Sequence, residues 1–138
     1  MAKATAEFGA QVKQFNRTAQ EKLEKQLKRV CLRAFESIVQ RTPVLTGCAR
    51  GNWRVTFGTE LSRAFDITIR DTGGNKAISL ASSTIMGKAT VGTRVNITNS
   101  VPYIMRLEHG YSRQAPQGMV HITIDELVRS DLVYRKKA

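Results

Sequence analysis

From Phe8 to Arg41, apolar side chains return every three or four residues: Phe8, Val12, Phe15, Ala19, Leu23, Leu27, Val30, Ala34 and Ile38. That spacing draws one continuous stripe along a helix. Lys13, Arg17, Lys22, Lys25, Lys28, Arg29 and Arg33 fall mostly off the stripe, with Glu21 and Glu24 among them. Thr42-Pro43 ends the helix, because proline disfavours helical geometry in the residue before it. A straight helix over Phe8–Arg41 is ~50 Å long at about 1.5 Å per residue. A compact domain of 138 residues has a radius of gyration of roughly 14 Å, hence a diameter of about 37 Å. The helix must therefore bend, break or project, and a projecting apolar stripe calls for a neighbouring subunit to cover it.

Further on the period changes. Trp53, Val55 and Phe57 alternate with Arg54 and Thr56, the pattern of a half-buried strand. Phe65, Ile67 and Ile69 alternate in the same way with Asp66, Thr68 and Arg70, which predicts a second strand joined to the first by an antiparallel connection. "DTGGN" at 71–75 reads as a turn. Ile78, Leu80, Ala81 and Ile85 predict a short helix ending at Gly87, and Val95 and Ile97 a third strand. Pro102–His109 predicts a short helix closed by Gly110, a residue favoured just past a helix end, with Tyr103 and Leu107, four apart on one face, packing inward and Glu108 left free to pair with an Arg or Lys. Val120, Ile124, Leu127, Val128 and Leu132 predict a helix over about 118–134, although Val120, Ile122 and Ile124 also alternate. The expected fold is a single α+β domain, 1–138, with flexible ends at 1–7 and 135–138. Its long N-terminal amphipathic helix packs on a small, mainly antiparallel sheet, joined by further short helices.

Composition adds a sign to this picture. Twenty-two Lys and Arg stand against 11 Asp and Glu, a net charge of +11, which favours polyanionic neighbours: nucleic acid, an acidic membrane or an acidic protein face. No apolar run is long enough for a membrane span, and "MAKATAEFGAQ" has no apolar segment of the signal-peptide kind. Cys31 and Cys48 lack metal-type spacing and read as small buried thiols.

Candidate chemistry is sparse. His109, His121 and Cys48 are not placed together by any pattern, and adjacent Glu108 and His109 on a helix point about 100° apart. No metal-binding motif and no phosphate loop is present; "TGGNK" and "VGTR" read as turns. The expectation is a protein that is not an enzyme and carries no cofactor or metal. Nucleic-acid contact through the cationic helix stays open. However, the aromatic residues Phe8, Phe15, Trp53, Phe57 and Phe65 sit at apolar-pattern positions rather than among the basic ones.

Two stretches carry a family likeness. "RTPVLTGCARGNWRV" at 41–55, with Thr42, Pro43, Thr46, Gly47, Arg50 and Trp53, resembles the pattern TPVDTGRLRANW of small tailed-phage neck proteins. "ITNSVPYIMRLEHGYSRQAPQGMV" at 97–120 resembles the family's second block through Asn99, Pro102, Tyr103, Glu108, Gly110, Gln114, Pro116 and Gly118. Leu45, Cys48 and Tyr111 depart from the usual residues. The family is that of tail-completion or head–tail joining proteins, including minor tail protein Z-like members.

The resemblance implies a virion structural protein, made in the host cytoplasm. Its copies form a hexameric ring between the capsid connector or adaptor and the tail terminator or tail tube, and genomic DNA passes through that ring. The quoted motif residues are then structural or interface positions. Lys22, Lys25, Lys28, Arg29 and Arg33 are candidate contacts to DNA in the channel or to acidic partners. The competing reading is a free basic nucleic-acid-binding protein that uses the same helix.

Overall fold

The computed structural model describes the backbone from Ala2 to Lys137 and side chains from Thr5 to Ser130. In chain order the elements are α1 (Ala2–Arg41), α2 (Cys48–Gly51), β1 (Trp53–Phe57), α3 (Asn75–Lys88), β2 (Val95–Asn99), α4 (Ile104–Glu108) and α5 (Val120–Lys137). Met1 and Ala138, at the two ends expected to be flexible, lie outside the described residues.

α1 is a single helix of 40 residues, ~60 Å long at about 1.5 Å per residue. Its last third is built into the domain. Cys31, Phe35, Ile38 and Val39 are buried and join Trp53, Ala77, Ala81, Ile85, Ala89, Ala115 and Met119 in the core. α1 packs mainly against α3, and α3 in turn against β1, so the long helix meets the sheet largely through another helix rather than directly. Small residues four apart on α3, Ala77 and Ala81, let the two helices approach closely. Gly74, just before α3, lies close against α1. A Cβ there would lie 2.3 Å from Val39 Cγ1.

The sheet has two strands. β1 and β2 run antiparallel, with Trp53 opposite Asn99, Val55 opposite Ile97 and Phe57 opposite Val95. Although antiparallel neighbours, they are not a hairpin, since α3 lies in the connection between them. The alternation at 53–57 and 95–99 is thus realised. The helices expected near 78–87, 102–109 and 118–134 are present as α3, α4 and α5.

Two expectations are corrected. The strand expected at 65–70 does not form: the Asp66 carboxylate accepts from the Thr68 amide at 2.9 Å, and Ile69 N–H donates to the Asp66 carbonyl at 3.3 Å, folding the segment into a turn. An Asp that bonds the backbone two residues on competes with strand geometry. Ile67 is left 67 % exposed.

The second correction concerns the apolar stripe. The core face of α1 is Cys31–Phe35–Ile38–Val39, rotated away from most of the predicted stripe. Phe8, Val12, Phe15, Leu23 and Val30 are exposed, the two phenylalanines at 68 % and 72 %. One helix carries two apolar faces in succession, and only the second is covered by the subunit itself.

Candidate functional site

The first motif block closes the C-terminal end of α1. Thr42 is fully buried; its hydroxyl donates to the Ile38 carbonyl at 2.7 Å and accepts from Trp53 Nε1 at 2.8 Å. Arg50, on α2, reaches back to the last carbonyls of α1. Its Nε and Nη2 donate to Thr42 O at 3.1 and 2.9 Å, and Nη2 also to Gln40 O at 3.0 Å. Nη1 donates to Thr72 O at 2.8 Å. A planar guanidinium satisfies carbonyls that a helix end leaves open and places positive charge where the helix dipole is negative. Burial pulls this guanidinium below its usual proton affinity, and the Asp71 carboxylate opposes that shift. Gly47 precedes α2 with φ 85°, pressed against the Asp71–Thr72 backbone. Pro43 is half-buried, and exposed Thr46 accepts the Cys48 N–H at 3.3 Å.

The second block does the same at the start of α5. Glu108, at the end of α4, accepts three backbone N–H groups. Met119 and Val120 donate to Oε2 and His121 to Oε1, each at 2.9 Å. A carboxylate on the first turn of a helix satisfies its open amides and complements its dipole. Burial pushes the Glu108 carboxyl up, the three amides pull it down, and the amides prevail, so it lies below its ordinary 4.5. The expectation of Glu108 as a free partner for Lys or Arg is therefore corrected. Tyr103, expected to pack inward with Leu107, is 42 % exposed, while Leu107 packs on the core. Two loop reversals lock the segment. A Cβ on Gly110 would sit 2.4 Å from Pro116 O, and one on Gly118 would sit 2.3 Å from Glu108 O. Asn99 donates to Ala49 O at 2.8 Å and accepts from Val101 N–H, tying β2 to α2. Pro102 and Pro116 lie on the surface.

A second side chain, after Asn99, joins the two blocks. Gln114 Oε1 accepts Val44 N–H at 2.8 Å while its Nε2 donates to Val44 O at 3.0 Å, imitating a strand partner. Residues far apart in sequence thus form one brace across the start of α5 and the end of α1. Arg41 completes it, donating to Thr123 Oγ1 at 3.0 Å and pairing with Glu126.

The basic residues separate. Lys28 pairs with Glu24 at 3.1 Å. Lys22, Lys25, Arg29 and Arg33 instead line a groove of about 530 Å³ between α1 and α5, together with Val30 and Leu127. Their i, i+3, i+7, i+11 spacing puts them on one face, which sequence inspection could pair with no opposing surface. Sequence reading also missed buried Asn52, whose side chain donates to Cys48 O and Asp66 O and accepts Asp66 N–H. It likewise missed Asp71, which accepts the Ala77 amide near the start of α3. Neither belongs to a periodic pattern that would mark it.

The cysteine and the two histidines weighed as chemical groups are engaged locally. Cys48 is buried with Asn52 Nδ2 3.6 Å from its sulfur. His109 Nδ1 contacts the Met105 carbonyl at 2.7 Å, and His121 lies 3.6 Å from Asp125. Among the described residues no group of three His, Cys, Asp or Glu side chains is placed to hold a metal ion, and no helix is long and apolar enough to cross a membrane. No family model, no curated protein and no solved structure matches this chain.

Proposed function

We propose that this chain is a non-enzymatic structural protein of a phage neck, a tail-completion or head–tail joining subunit. Its copies form a ring between the capsid connector and the tail tube, and the genome passes through that ring. The observation that carries this reading is the largely uncovered stretch of α1 from Thr5 to Leu23. It holds Phe8, Val12, Phe15 and Leu23 in solvent, and burying such side chains is worth roughly 1.5–3 kcal/mol each. A subunit with that arm is completed by neighbours. The two motif blocks support the reading from the other side, since their polar residues are spent on bracing helix ends rather than aimed at a common reacting atom. The test is a conditional knockout of the gene in the phage that encodes it. The expected product is DNA-filled heads and separate tails, with joining restored by the chain supplied in trans. Normal joined particles without the chain would end the proposal.

A second reading, a free nucleic-acid-binding protein, is favoured by the four cations of the groove. It requires duplex affinity that falls steeply with salt. Lys22, Arg29 and Arg33 changed together to Glu is the decisive variant, because Lys28 already has an acidic partner. Duplex binding unchanged by that triple substitution would exclude it.

A further inference from the structure

We infer that the groove between α1 and α5 docks an acidic amphipathic helix of a partner protein. Carboxylates of that helix would lie on Lys22, Lys25, Arg29 and Arg33, with an apolar side chain against Val30 and Leu127. The four cations line the groove and no acidic residue lines it among the described residues. None of the four makes a described hydrogen bond or ion pair, and Glu126, an acidic side chain near Arg33, is already bonded to Arg41. Like charges at i, i+3 and i, i+4 repel along α1, a repulsion that a bound anion would relieve. Along the axis it covers ~17 Å, about three helical turns, the length over which a docked helix would present carboxylates at matching positions.

The floor chooses among polyanions. Val30 is 44 % exposed beside Leu127, and a phosphate backbone gains nothing from covering it, whereas an amphipathic helix does. A second copy's projecting arm is a poor occupant, because Lys13, Arg17, Lys22 and Lys25 outnumber Glu7, Glu21 and Glu24 there. This inference does not rest on the neck reading and stands or falls separately from it.

The experiment is fluorescence anisotropy on the full chain with a labelled synthetic helix of about 18 residues. That peptide carries Glu at positions three and four apart on one face and Leu between them. The same residues in scrambled order and an 18-base-pair duplex DNA are the comparison probes. The ordered peptide is expected to bind at least about tenfold tighter than the scrambled one. Arg29→Glu with Arg33→Glu is expected to weaken it at least about tenfold. Val30→Ser, which leaves every charge in place at an exposed position, should weaken the ordered peptide about fivefold and leave the scrambled one unchanged. Leu127→Ser gives the same readout from the other wall, with a thermal melt showing that each variant is folded. Equal binding of ordered and scrambled peptides, indifference to both serine substitutions, or tighter binding of the duplex would each overturn the inference; the last assigns the groove to nucleic acid.

Discussion

Glu108 and Gly118 show how single residues hold the brace. Glu108 accepts three amides at the head of α5, and hydrogen bonds to a charged group are worth about 1.5–3 kcal/mol. Glu108→Ala is expected to cost stability in that range, lowering the melting midpoint by roughly 4 °C per kcal/mol. The pH dependence follows from the lowered carboxyl. A carboxyl held below its unfolded value contributes its full stability above that value and loses it as pH falls through the folded pKa. The stability gap between the wild type and Glu108→Gln should therefore be constant above about pH 5 and shrink below it. Urea titrations across that range check this, and parallel decline of the two proteins would remove Glu108 from its assigned role. Gly118 supplies an independent test. Gly118 has φ 82° and a backbone carbonyl 2.3 Å from the site of a Cβ, whereas Gly92 has φ 88° and nothing within 4 Å. Both Gly→Ala changes incur left-handed strain of about 1–3 kcal/mol, and Gly118→Ala adds a clash. Chemical denaturation should rank Gly118→Ala as clearly the more damaging of the two; equal losses would mean the Glu108–Gly118 approach is looser than described.

At the level of elements, α1 divides into an arm and an anchor. From Thr5 to Thr18 every side chain is exposed, whereas Phe35 and Val39 are fully buried. Removing residues 1–18 is expected to move the melting midpoint by less than about 2 °C, while Phe35→Ala should cost about 3–5 kcal/mol. Amide exchange should show the same gradient, fast in the arm and slow from Cys31 to Val39, because a helix without packing is only marginally stable in water. Loss of a cooperative melt in the shortened chain would contradict that division. Much of this organisation was legible in the sequence. Local periods give α1, β1 and β2, the length of the apolar pattern decides α5 in favour of a helix over an alternating strand, and Pro43 and Gly110 mark true ends. What escaped was set by partners distant in sequence. The alternation at Phe65–Arg70 is outcompeted by Asp66 bonding its own loop and by the Asn52 side chain bonding both Asp66 N–H and O. The phase change between the two apolar faces of α1 is invisible while the period alone is followed, because Val30 keeps the upstream phase although Cys31 beside it starts the core. In the same way the Gln114 side chain pairs with the Val44 backbone, a contact that neither motif announces.

For the whole molecule, charge and the uncovered arm pull in opposite directions, and that opposition separates the functional readings. Each chain carries +11, so copies repel at low salt over a screening length of about 10 Å at 0.1 M that shrinks to about 3 Å at 1 M. Contacts that Phe8, Val12 and Phe15 would make with another copy are apolar and would survive screening. On the neck reading, self-association through the arm strengthens as salt rises; on the nucleic-acid reading, binding to duplex DNA through Lys22, Lys25, Arg29 and Arg33 weakens with a slope set by the number of phosphates neutralised. Sedimentation velocity from about 0.05 M to about 0.5 M sodium chloride is expected to show a rising average mass. Phe8→Ser with Phe15→Ser should abolish that rise without lowering the melting midpoint, since neither ring is part of the core. A mass that falls with salt would mean the copies are joined by ionic pairs and that the arm is not what holds them. A rise that persists in the double serine variant would place the contact on another surface. The exposed Leu45, Tyr103 and Tyr111 around the brace are the apolar side chains to change next.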